Sequence, residues 1–138
     1  MPERDKVIEA VGEWVAKAEN DLKNAAHTLK LGEVCPTDTV CFHAQQCAEK
    51  YIKARLVLEG IAFPKTHDLE ELVSLLPAGV EPGMTPEERD GLTDYATGAR
   101  YPGWDAIPLT EARGAVSVAR RVRREIRRQL PKAALRKK

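Results

Sequence analysis

Three groups of side chains in this sequence have the types and spacing that ligand binding or proton transfer requires. His43, Gln46 and Lys50 fall within about 60° of one another around a helical axis, with Lys53 beside them. An imidazole, an amide and two ammonium groups suit a phosphate together with a base. An ordinary solvated face, or a face in a dimer interface, has the same pattern. The second group is Arg100-Tyr101-Pro102-Gly103-Trp104-Asp105, a helix end and a Pro-Gly turn carrying two aromatics, a guanidinium and an acid. Such planes stack bases, although Tyr101 and Trp104 would equally plug the end of a helical bundle. The third group is the arginine run that includes Arg120, Arg124 and Arg127. Like charges four apart cost about 0.2–0.5 kcal/mol per pair in an isolated helix, which phosphates or protein carboxylates would relieve.

Other reactive side chains carry less. His43 and Cys47 are four apart, but no further ligands cluster with them and no CxxC occurs, so no metal and no other cofactor is expected. His67 stands at a helix start, where its ring can bond backbone. Arg55 projects into an apolar arc and needs a partner there, expected to be an acid from another helix.

The elements that must position these groups follow from apolar periodicity. A first helix over about 5–31 carries Val7, Ile8, Val11, Trp14, Val15, Ala18, Leu22, Ala25 and Leu29 on one stripe. A second, about 38–59, has Asp38 as its expected cap, Val40, Ala44, Cys47, Ala48, Tyr51, Ile52 and Leu56 on one side, and His43, Gln46, Lys50 and Lys53 on the other. A short third helix, 68–76, is capped by Asp68. A fourth opens with Thr85, Pro86 and Glu88 as a capping box and runs to about Arg100. A fifth, about 110–130, opens at Thr110. Its stripe is Ala115, Val116, Ala119, Val122, Ile126 and Leu130, opposite Arg113, Arg120, Arg121, Arg124, Arg127 and Arg128. Five helices joined by short connections predict an all-α, up-and-down antiparallel bundle forming one domain over 1–131, with a basic tail, 132–138, that frays.

Composition agrees and adds a charge problem. The 138 residues are 43% hydrophobic and 31% charged with 5% aromatic, which argues against an all-β fold. Net charge is +1, yet residues 1–112 hold 11 Lys/Arg against 20 Asp/Glu, and residues 113–138 hold 11 Lys/Arg against Glu125 alone. The basic end therefore meets either a polyanion or an acidic protein surface. The acidic stretch 68–94 would be the receiver within the fold or in a second copy. No apolar stretch reaches membrane-spanning length, the N-terminus has no signal-peptide core, and three cysteines are odd in number, so a cytoplasmic setting without a membrane is expected.

The stretch Cys41-Phe42-His43-Ala44-Gln45-Gln46-Cys47-Ala48-Glu49-Lys50, with Lys53-Ala54, resembles the second helix of HEPN domains (higher eukaryotes and prokaryotes nucleotide-binding). Trp14, Ala18 and Asp21-Leu22 are similar to that family's first helix, Thr66-His67-Asp68-Leu69 with Leu72 to its third, and Ala99-Arg100-Tyr101-Pro102 to the end of its fourth. The resemblance implies a helical bundle that forms a homodimer, and a partner protein, a minimal nucleotidyltransferase encoded beside it. Such pairs are read as toxin–antitoxin modules. In some branches the resemblance also implies a metal-independent RNase, marked by an Arg followed after four to six residues by a His.

That signature is absent. Upstream of His27, His43 and His67 the required positions read Asn-Asp-Leu, Pro-Thr-Asp and Gly-Ile-Ala. Downstream of Arg100 they read Asp105, Ala106 and Ile107, and a carboxylate does not reproduce imidazole chemistry near neutral pH. The expected function is therefore a non-catalytic nucleotide- or RNA-binding component of a nucleotidyltransferase module. The alternatives are an RNase toxin with a non-standard site near Arg100 and Asp105, and a general polyanion binder acting through the last helix.

Overall fold

α1 (Pro2–Leu29) and α2 (Thr37–Leu58) form a long antiparallel hairpin closed by a single 3-10 turn, Gly32–Val34. The computed structural model describes residues 2–136. α1 buries Val11, Val15, Ala18 and Ala25 at helical spacing along one stripe. α2 behaves differently. Residues 44–49 and 51–56 are buried without a break, so the helix has no solvated side over that span. It is the axis of the bundle, packed by α1, α5, α4 and the short α3.

α3 (Leu69–Ser74) is capped as expected, the Asp68 carboxylate accepting from the amides of Glu70 and Glu71. α4 (Pro86–Ala96) opens with the full capping box, in which Thr85 accepts from the Glu88 amide and Glu88 accepts from the Thr85 amide. It ends earlier than periodicity predicts, because Thr97 leaves helical backbone (φ −120°, ψ −109°) and a 3-10 turn, Gly98–Arg100, follows. α5 (Leu109–Arg127) completes the all-helical bundle, and the described residues contain no strand.

Tertiary hydrogen bonds set the directions. Thr37 at the start of α2 donates to the Ile107 carbonyl just before α5, and Arg127 at the far end of α5 donates to Tyr51 of α2. α2 and α5 are therefore parallel. Pairs Tyr95–Glu111 and Arg121–Glu88 make α4 antiparallel to α5, giving the expected up-down-up-down topology. Gly83 is required where the loop before α4 crosses α5. Its φ is +84°, and a Cβ there would stand 2.9 Å from the Val122 Cα.

Several local expectations are corrected. Asp38 and Thr110 do not cap their helices. Pro36 and Pro108 occupy the cap positions without side-chain bonds, and Asp38 instead accepts from its neighbour Thr39. Arg55 is buried, but its acid is Glu59 on its own helix at 2.7 Å, with Gln129 accepting from Nε at 3.2 Å. The i,i+4 reach supplied a partner that no other helix needed to provide. The tail does not fray over its first residues. Lys132–Leu135 forms a 3-10 turn that buries Ala134, whose carbonyl approaches the backbone of α1 at Gly12 closely enough to leave 3.2 Å for an added Cβ. An apolar Ala-Ala-Leu run docks where a purely charged one would not. Lys137 and Lys138 lie outside the described residues.

Candidate functional site

The polar groups of α2 are brought together, but toward internal partners instead of an open face. Glu49, with a side chain only 3% exposed, accepts from Lys53 Nζ (2.9 Å), Gln45 Nε2 (3.1 Å) and, at a greater 3.5 Å, Gln46 Nε2. His67 Nδ1 lies 2.8 Å from the same carboxylate, so its ring bonds Glu49 and not backbone, while its carbonyl accepts from Gln45 at 3.0 Å. The Lys53 ammonium also sits 5.5 Å from the ring centroids of Trp14 and Phe63. A nearly dry carboxylate with these donors is a structural knot. Gln46 and Lys53 are buried in it and present nothing to a ligand.

His43 and Lys50 turn the other way, to α1. Asp21 receives His43 Nδ1 at 2.7 Å and Lys50 Nζ at 2.6 Å, tying α1 to α2 through one buried carboxylate. The four-residue face proposed from spacing is thus divided between two acids on different elements. Asp21 is what the spacing could not reveal, because its approach from α1 is set by helix packing, whereas Glu49 stands four residues before Lys53 on the same helix and is within i,i+4 reach. Cys47 lies buried beside them, and burial, with Glu19 and Asp21 near, pushes its thiol up. Burial likewise raises the Cys41 thiol to about 12. Neither thiol is a nucleophile near neutral pH. No group of three or more metal-ligating side chains occurs among the described residues.

At the end of α4 the Arg100 guanidinium lies 4.2 Å from the centroid of the Phe42 ring, which anchors it by cation–π attraction. Tyr101 is 63% exposed and Trp104 46%, so these rings do not plug the bundle end as one reading of the sequence had it. Asp105 is exposed as well.

The α5 arginines are sorted by the flanking helices. Arg123 grips both oxygens of Glu19 on α1, its Nε and Nη2 donating at 2.9–3.0 Å. Arg127 Nη1 reaches Glu19 at 3.5 Å and the Tyr51 hydroxyl at 3.3 Å. On the other flank Arg121 pairs with Glu88 of the 68–94 stretch at 2.6 Å, and Arg128 pairs with Glu125 at 3.0 Å. Arg113, Arg120 and Arg124 are exposed and have no acidic partner among the described residues. Between α1 and α5 this leaves an open groove of about 430 Å³ lined by Leu22, Arg120, Arg123, Arg124 and Arg127. Burial by itself raises the Glu19 carboxyl, but Arg123, Tyr51 and Arg127 outweigh it and hold the group below the ordinary value, ionised at neutral pH. Arg123 is raised by the same hydrogen bond. Arg123 and Leu22 join Arg120, Arg124 and Arg127 as groove residues. Arg123 follows the i, i+3, i+7 spacing of Arg120, Arg123 and Arg127, whereas Leu22 reads from sequence only as core stripe.

Comparison with known proteins gives relatives for the chain as a whole. A family model described as the HEPN domain matches residues 11–129. The crystal structure of TT1696 from Thermus thermophilus is similar at 26% identity with a TM-score of 0.71, over 88% of this chain and 99% of that one. ST0689, titled an archaeal HEPN homologue, is similar at 26% identity and a TM-score of 0.67, over 88% of this chain and 98% of its own. No curated protein matches significantly.

Proposed function

Since the chain belongs to the HEPN domain family, we propose that it is a non-catalytic binding component of a nucleotidyltransferase–HEPN module of toxin–antitoxin type, acting as a cytoplasmic homodimer. Its ligand is a nucleotide or RNA held through phosphates. The observation that carries the ligand class is the groove in which Arg120 and Arg124, which have no acidic partner among the described residues, stand beside Arg123 and Arg127, which share the carboxylate of Glu19. Guanidinium groups without internal partners are free to release counterions to phosphate, which gives affinity without requiring catalytic residues. The missing Arg–His signature supports the non-catalytic part of the reading. Exposed Tyr101 supplies a stacking plane at the bundle end, but the groove carries the proposal.

The deciding measurement is binding of a labelled RNA oligonucleotide and of ATP by wild type and by an Arg120→Ala/Arg124→Ala variant. Loss of about tenfold or more in affinity is expected, in line with charge-assisted hydrogen bonds. Unchanged affinity removes the groove from the proposal. Co-expression with a neighbouring nucleotidyltransferase is expected to give a stable co-purifying complex. Metal-independent RNA cleavage that disappears in Arg100→Ala would replace this reading with the RNase alternative near Arg100 and Asp105.

A further inference from the structure

We propose that the α1–α5 groove is built for a run of linked phosphates and that Glu19 acts in it as an internal competitor against single phosphates. This rests on the groove being a phosphate site, and it adds which phosphate ligands are accepted and what sets the threshold.

The first ground is spacing. Along α5, Arg120 and Arg124 are separated by about 6 Å of axial rise, and Arg127 follows about 4.5 Å further on. Positive charge is therefore strung along the groove over roughly 10 Å instead of converging on one point. A single phosphate meets one or two of these groups, whereas a chain of phosphates meets all of them.

The second ground is the way Glu19 is held. Arg123 offers it the Nε–Nη2 edge at 2.9–3.0 Å, the two-pronged grip by which a guanidinium takes a phosphate. Arg127 leans on the same carboxylate at only 3.5 Å. Arg127 lines the groove, and Glu19, bonded to two of the lining guanidinium groups, stands behind them; their side chains are 26% and 24% exposed, so neither is sealed from solvent. Glu19 thus occupies the best-formed anion seat. An incoming monophosphate must displace it or accept Arg120 and Arg124 alone. A polyphosphate engages Arg120, Arg124 and the loosely held Arg127 together, without breaking the Arg123–Glu19 grip.

The test is calorimetric titration of the full chain with orthophosphate, inorganic tripolyphosphate, ATP and a short RNA, for wild type, Glu19→Gln and Glu19→Asp. Wild type is expected to bind tripolyphosphate at least about tenfold more tightly than orthophosphate. Glu19→Gln is expected to tighten orthophosphate by about tenfold and narrow that gap, while Glu19→Asp, which keeps the charge, preserves it. ATP and RNA then separate the two sources of linked phosphates. Equal wild-type affinity for orthophosphate and tripolyphosphate overturns the proposal, whether or not the variants fold. So does unchanged or weaker orthophosphate binding by a folded Glu19→Gln. The same salts measured on Arg120→Ala/Arg124→Ala separate the two failures, because binding that persists there rejects the groove itself, whereas lost binding without selectivity rejects only the role of Glu19. Absence of binding by both wild type and Glu19→Gln rejects both.

Discussion

Glu49 and Glu19 are both carboxylates facing cations, and their surroundings give them opposite uses. Glu49 is nearly dry and satisfied by Lys53, Gln45 and His67, so removing it strands a buried ammonium. Glu49→Ala is expected to cost about 3–5 kcal/mol in urea denaturation, whereas Arg128→Ala, which breaks an exposed pair, costs less than about 1 kcal/mol. Equal losses would mean that Glu49 is no structural knot. Glu19 instead makes stability depend on pH. Its carboxyl, like that of Glu88 beside Arg121, lies below the ordinary 4.5. A lowered folded value contributes stability that is fully present above the unfolded value and lost as pH falls through the folded one. Wild type is therefore expected to lose stability below about pH 4.5, and a Glu19→Gln/Glu88→Gln variant to show a shallower loss in denaturation followed from pH 7 to 3. At this scale the residue types in His43, Gln46, Lys50 and Lys53 were legible from spacing, as was the i,i+4 pairing of Lys53 with Glu49, but the partner of His43 and Lys50 was not. Asp21 comes to His43 and Lys50 only through the packing of α1 on α2, and His67 comes to Glu49 only through a loop contact.

Elements were more legible than residues, because start signals are local. Thr85-Pro86-Glu87-Glu88 announces α4 by chemistry contained within one turn, and that turn forms as expected. Thr85→Ala is expected to lower stability by about 1 kcal/mol, seen as a melting-temperature drop of about 3–5 °C. Helix starts at prolines were misread for an equally local reason. Pro36 and Pro108 fix extended backbone before α2 and α5, so the nearby Asp38 and Thr110 fall inside the helices instead of at the cap. Gly83 marks a constraint that no local signal shows. Its Cβ position is filled by the α5 backbone, which has nowhere to move, so Gly83→Ala is expected to destabilise by about 2 kcal/mol or more in the same assay. A loss no larger than that of Gly79→Ala, which also has positive φ but open space around it, would mean that the α4–α5 crossing tolerates a side chain.

For the whole molecule, the charge split becomes an arrangement of neighbours. Part of the acidic body does receive the basic helix, with Glu88 and Glu19 taking Arg121, Arg123 and Arg127, while Arg113, Arg120 and Arg124 remain outside. RNA binding through the groove's Arg120, Arg124 and loosely held Arg127 is expected to show a salt slope near about −2 on log–log axes, the value for three neutralised phosphates on a single strand. A slope beyond about −4 would mean that the internal pairs open to the ligand. The docked tail gives a further check. Deleting residues 132–138 is expected to lower the melting temperature by several degrees, because Ala134 and Leu135 cover α1 at Gly12. An unchanged value would show that this turn adds nothing to the bundle.

The all-helical class, the number of α-helices and their up-down order were determined by the sequence itself, because apolar period, caps and Pro-Gly breaks act within a few residues. That α2 is buried over residues 44–49 and 51–56, and that His43 and Lys50 serve a carboxylate on α1, was decided only by tertiary structure. Helical spacing specifies which side chains share a face, but not what the face meets. The same limit applied to α5. Its arginines were countable in the sequence, yet which of them stay free depended on where α1 and α4 set Glu19 and Glu88.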